Sequence, residues 1–356
     1  MTRARITRAL MIVALLFCGA TTAAAQTNWG IGVQANGTIY FCDRGRNTVW
    51  RITPSGERTA AVDGVNCRVI VTTPLDGVIG ETTPNDVTAT RGVGLWEISA
   101  NGSRQWTLPQ TLVPPPDRWL IRDAVGREYS WSGVGTGSQK SEIVIYDPSG
   151  LRTVLAGSQW GHADGYAAGA AFGNVTGIAL APDDSVVVLD SGDVRRISPL
   201  GVVRTEAMAV ATNSHMGLIS AAGLWAREQG VATDRAGNAV IVDPAAGRVV
   251  HVDRNGHATP IWEPAGLPQR ISGGRWGWRP AGVAMMGRTY YVLDEWMGPA
   301  LIADLIGSPR LSQVDDTGHV TRIAAVSSVM VRSAAAALLV VLLSVAVRAI
   351  RGRRAR

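Results

Sequence analysis

The feature that most limits how this chain can fold is a short turn that recurs six times. It reads Ile52-Thr53-Pro54-Ser55-Gly56, Ile98-Ser99-Ala100-Asn101-Gly102 and Tyr146-Asp147-Pro148-Ser149-Gly150. It continues as Ile197-Ser198-Pro199-Leu200-Gly201, Val252-Asp253-Arg254-Asn255-Gly256 and Val314-Asp315-Asp316-Thr317-Gly318, with the glycines 46, 48, 51, 55 and 62 residues apart. Between β-rich runs, Pro-Ser-Gly, Asn-Gly and Thr-Gly are reversals in which glycine supplies a positive φ. Each copy therefore reads as the hairpin joining the last two strands of a unit. Upstream lie strands with their own turns, Gly37–Asp43, Asp184–Asp190, Gly237–Asp243 and Arg288–Asp294, whose continuous β-branched character suits burial on both faces. Four strands per unit and about 50 residues per unit, repeated over residues 26–325, predict an all-β, six-bladed β-propeller.

Charge fixes the compartment. The chain of 356 residues carries 34 Lys+Arg against 28 Asp+Glu, a formal net charge of +6. Three of those bases (Arg3, Arg5, Arg8) lie in residues 1–25 and six lie in residues 326–356, and neither end holds an acid. The body between them is slightly acidic, which argues against a nucleic-acid partner. Residues 1–25 read as a signal peptide: basic leader, apolar run Ala9–Phe17 and small residues Ala23–Ala25. Residues 326–350 read as a transmembrane helix around the uncharged stretch SAAAALLVVLLSVAV, with Arg332 and Arg348 snorkelling outward. Residues 351–356 form a basic tail, which the positive-inside rule places in the cytoplasm. The expectation is a single-pass cell-membrane protein with its body on the periplasmic or extracellular side. A cleaved sorting tail is the alternative reading of the same outline. Once the leader with Cys18 is removed, Cys42 and Cys67 remain. They can form one disulfide, worth about 3 kcal/mol on a loop-entropy argument.

One stretch carries a family resemblance. Gly161-His162-Ala163-Asp164-Gly165, Gly177-Ile178-Ala179, Val186–Asp190, Ser191-Gly192 and Val194-Arg195-Arg196-Ile197 follow in order. This resembles an NHL repeat, with its glycine-initiated strand, its strand ending in Val-x-Asp and its Arg-Ile strand. Residues 42–52 and 241–250 are further matches, while residues 63–155 match poorly and Gly298–Pro309 is an insertion. The resemblance implies a six-bladed propeller of the secreted or membrane-anchored bacterial type. Relatives of that shape include gluconolactonase-type lactonases and amidating lyases, which would imply a divalent metal; no motif here places its ligands.

No nucleophile elbow, phosphate loop or dinucleotide fingerprint is present. The strand-ending aspartates read as turn residues. The candidate ligand-binding residues are Trp160, His162 and Asp164 in one glycine-rich loop, and Arg275, Trp276 and Trp278 in a second. Trp and Arg are enriched at binding hot spots. The competing reading has the rings filling gaps between blades and Asp164 capping a turn. These residues together predict a non-enzymatic module for a protein or saccharide ligand, needing no cofactor. The alternative is a metal-dependent lactonase or lyase.

Overall fold

The recurring turn is the device on which the sheets are built. The structure, a computed structural model, describes residues 30–325 apart from 35, 44–45, 65–66, 73–77, 83–93, 99–103, 108–117, 124, 134–139, 212–229, 245, 263–276, 298–308 and 316. Five copies of the turn fall among the described residues. In each, the first turn residue donates its N–H to the carbonyl four residues on, as Thr53 does to Glu57 and Ser198 to Val202, both at 2.9 Å. The side-chain oxygen of that first residue accepts the returning N–H: Leu151 to Asp147 Oδ1 and His257 to Asp253 Oδ1 at 2.9 Å, Glu57 to Thr53 Oγ1 at 3.1 Å. The five turn glycines hold φ between 82° and 88°, which favours glycine over any residue with a Cβ.

Six antiparallel sheets follow one another along the chain. The first holds β1 (Ile31–Val33), β2 (Ile39–Asp43), β3 (Thr48–Ile52) and β4 (Arg58–Asp63). The second holds β5 (Cys67–Thr72), β6 (Val78–Thr82), β7 (Gly94–Ile98) and β8 (Arg104–Thr107). The third holds β9 (Arg118–Arg122), β10 (Glu128–Ser132), β11 (Glu142–Tyr146) and β12 (Arg152–Gly157). The fourth holds β14 (Val175–Leu180), β15 (Val186–Asp190), β16 (Asp193–Ile197) and β17 (Val202–Ala207), with the short β13 (Gly165–Tyr166) added outside β17. The fifth holds β18 (Val231–Thr233), β19 (Ala239–Asp243), β20 (Arg248–Val252) and β21 (Ala258–Trp262). The sixth holds β22 (Gly277–Met286), β23 (Thr289–Met297), β24 (Arg310–Val314) and β25 (Val320–Ala325). The poorly matching stretch 63–155 thus contains two four-stranded sheets.

The first strands touch in the cyclic order β1, β5, β9, β14, β18, β22 and back to β1. They therefore line an axis, and the later strands of each sheet step outward. Strands β2, β15 and β19 are buried along their whole length, because neighbouring sheets cover both faces. Side chains cement the contacts: Val187, Leu189 and Val194 of the fourth sheet pack with Ala239, Ile241 and Val250 of the fifth. Each sheet is made of strands consecutive in the chain, so among the described residues no shared strand joins the first sheet to the last. Their seam is held by Ile31, Ile39 and Phe41 against Tyr291, Leu293 and Leu311. Cys42 of β2 and Cys67 of β5 are disulfide-bonded, with Cα atoms 5.4 Å apart, and tie the first sheet to the second.

Among the described residues no helix is long and apolar enough to cross a membrane. The leader at 1–25, the anchor at 326–350 and the tail at 351–356 lie outside the described residues.

Because Cys42 and Cys67 pin the first sheet to the second, replacing both by serine is expected to destabilise the protein by about 3 kcal/mol in urea unfolding. An unchanged midpoint would show that sheet packing alone fixes this junction.

Candidate functional site

Three second strands, β2, β15 and β19, end in an aspartate, and β23 passes through a fourth; all four carboxylates are buried, Asp43, Asp190, Asp243 and Asp294 being at most 1% exposed. A carboxylate taken from water needs a partner charge and hydrogen bonds. Asp190 has both. Its Oδ2 accepts from Arg195 Nη1 at 2.8 Å, and its Oδ1 from the Gly173 N–H at 3.0 Å and the Ser191 hydroxyl at 3.2 Å. Arg195 is itself fully buried, 4.7 Å from the centroid of the Phe172 ring. It also donates to the Ala171 and Ala163 carbonyls at 2.6 Å each and to Asp164 Oδ1 at 2.9 Å. One guanidinium thus ties the loop before β14 to the end of β15.

The other sheets vary this arrangement. Asp43 accepts from the Arg46 N–H at 3.2 Å, the Arg46 guanidinium at 3.0 Å and the Trp50 indole at 3.2 Å. Asp243 accepts from the Ala246 N–H at 3.0 Å, with Arg248 3.8 Å away. Asp294 differs. Its Oδ2 takes both Nε (2.7 Å) and Nη2 of Arg310, while its Oδ1 has no partner among the described residues. The reason lies in strand length: after Asp43 and Asp243 the chain turns and offers an N–H, whereas β23 continues past Asp294 to Met297. Burial pushes the Asp294 carboxyl up to about 6, outweighing the pull of Arg310. Burial also raises Asp43, against Arg46 and Trp50.

The loop before β14 brings three predicted residues together. Trp160 is 45% exposed. His162 stands between two carboxylates, with Nδ1 3.5 Å from Asp190 Oδ2 and Nε2 3.4 Å from Asp193 Oδ2. Asp164 accepts the Thr205 N–H at 2.8 Å and hydroxyl at 3.0 Å besides Arg195. Burial alone would raise its pKa, but Thr205 and Arg195 together hold it below the usual carboxylate range. It fastens a loop to the outer strand rather than capping its own turn. Trp278, expected in a loop, lies instead in β22. It is 2% exposed, with the Arg310 guanidinium 3.3 Å from its ring centroid. It packs rather than projects because β22 runs for 10 residues, beyond the other first strands. Arg275 and Trp276 lie outside the described residues.

Sequence reasoning missed the arginines that answer the strand-ending aspartates. For Asp190 and Asp243 the signal was present, an arginine five residues on, at Arg195 and Arg248. For Asp294 the intervening insertion hides it. Among the described residues, no group of three or more His, Cys, Asp or Glu side chains is placed to hold a metal ion. The arrangement can lock loops onto strand ends, hold one carboxyl near neutrality and present an aromatic ring beside a histidine.

No family model matches the chain, and no curated protein matches it. Solved structures do. The chain is similar to a streptogramin B lyase structure (10% identity over 87% of this chain and 86% of that one, TM-score 0.47). It is similar to a gluconolactonase from Xanthomonas campestris (13%, 78% and 86%, TM-score 0.48). It is also similar to a protein of unknown function from Bacteroides thetaiotaomicron (14%, 76% and 68%, TM-score 0.50). The neighbours are β-propeller proteins, and identities this low speak to fold alone.

Asp294 yields a pH test. A pKa of about 6, above the ordinary 3.8, means the folded chain holds a proton that the unfolded chain releases between those values. This contribution is complete below about 3.8 and is lost as pH rises through about 6. The stability difference between the native chain and Asp294→Asn should therefore shift in favour of the native chain by about 2 kcal/mol from pH 7 to pH 4.5. A difference that stays flat across that range would contradict the assignment.

Proposed function

We propose that residues 26–325 form a six-bladed, NHL-type β-propeller. In this reading a leader at 1–25 exports it, a single helix over 326–350 holds it in the cell membrane, and the 351–356 tail stays inside. The propeller works outside the cytoplasm as a non-enzymatic module binding a protein or saccharide. The cyclic contacts of the six first strands support the blade count. The observation that carries the binding reading is the division of labour in the loop before β14. Asp164, Asp190 and Arg195 are committed to one another and to the backbone, and on that frame Trp160, 45% exposed, and His162 stand at the surface where a ligand can reach them. A rigid frame carrying an exposed ring is how loops on repeat scaffolds gain affinity.

A second reading, a metal-dependent lactonase or lyase, is favoured by Asp294. Its carboxyl, raised toward neutrality and with one oxygen unpartnered among the described residues, has the properties of a general base.

One experiment separates the two. The full chain is screened against saccharide and peptide arrays, with metal content and lactone hydrolysis measured on the same preparation. The binding reading predicts at least one retained ligand, weakened tenfold or more by Trp160→Ala without a change in melting temperature. A stoichiometric divalent ion, with lactone hydrolysis abolished by Asp294→Asn, would overturn it in favour of the enzyme.

A further inference from the structure

The opposite end of the axis carries a cleft of its own. Strands β14, β18 and β22 all finish there, and between their ends lies a cleft of about 350 Å³. Leu180, Pro182 and Met285 supply apolar wall, and Thr233, Asp234 and Arg235 supply polar groups. The frame is fixed, because Thr233 donates its hydroxyl to the Leu180 carbonyl at 2.7 Å and so links two first strands.

The two charges in this cleft are not equivalent. Asp234 is saturated: Oδ1 accepts the Ala236 and Asn238 N–H groups at 2.8 Å each, and Oδ2 accepts the Asn238 amide at 2.8 Å and faces His251 Nε2 at 3.2 Å. Burial would raise this carboxyl, but Asn238 and His251 hold it below the usual range, so its charge is spread over neighbouring donors. Arg235 is exposed and follows Asp234 directly in the turn. No described residue bonds its guanidinium. A planar fork of donors beside an apolar wall suits a carboxylate or phosphate attached to a hydrophobic body.

We propose that this cleft is a binding site for a small amphipathic organic anion, with Arg235 gripping the acid group and Leu180, Pro182 and Met285 covering the apolar part. It lies at the far end of the axis from Trp160 and His162, so it stands whether or not that loop binds a ligand.

The test uses benzoate as the probe, with benzamide as its neutral counterpart, titrated calorimetrically into the full chain. The site predicts saturable benzoate binding, at least tenfold weaker for benzamide. Arg235→Ala should weaken benzoate at least tenfold, while Arg204→Ala, an exposed arginine on β17, leaves it unchanged; both variants should melt as the native chain does. Met285→Ala, which removes wall but no charge, should weaken benzoate as well. Absence of saturable binding, equal binding of benzamide, or an affinity indifferent to Arg235→Ala would each overturn the proposal.

Discussion

The buried Asp190–Arg195 pair is the contact on which much of the surrounding structure depends. An ion pair with both members withdrawn from water survives only when its remaining hydrogen-bonding capacity is met. Here Gly173, Ser191, Ala171, Ala163 and Asp164 supply the missing partners. Satisfying the pair thus fixes the end of β15, the turn into β16 and the loop before β14 together. Asp43, Asp243 and Asp294 repeat the theme in three further sheets, each with its own arginine.

Much of this was legible in the sequence, and for physical reasons. The repeated turn shows because its glycines need a positive φ and its first residue must offer a side-chain oxygen. The second strands show because sheets on both faces demand unbroken apolar runs, as in Val186–Leu189. The second and third sheets were faint because their second strands end in Thr82 and Ser132, which cannot form the aspartate–arginine pair. The partners themselves were hidden. Arg46, Arg195 and Arg310 lie three, five and sixteen residues after their aspartates, so no single spacing reveals them. Trp278 read as a loop residue because Gly277 and two arginines surround it, yet pairing with Trp296 extends the strand through it.

The two ends of the axis differ in how their charges are used. Where the second strands finish, carboxylates and guanidiniums neutralise one another inside the protein, leaving Trp160 and His162 at the surface. Asp294 is the exception, because β23 overruns the position where a turn N–H would complete it. Where the first strands finish, backbone and amide donors saturate Asp234 and leave Arg235 outside. A single architecture therefore presents two chemically distinct mouths, set by where each turn spends its N–H groups.

The most direct test of this account is a double-mutant cycle on Asp190 and Arg195, using Asp190→Asn and Arg195→Met in the full chain and urea unfolding as the readout. If the pair organises the loop and strand ends as described, each single change should cost about 3 kcal/mol or more, and the two should couple by about 2 kcal/mol. Additive losses, with coupling near zero, would contradict it.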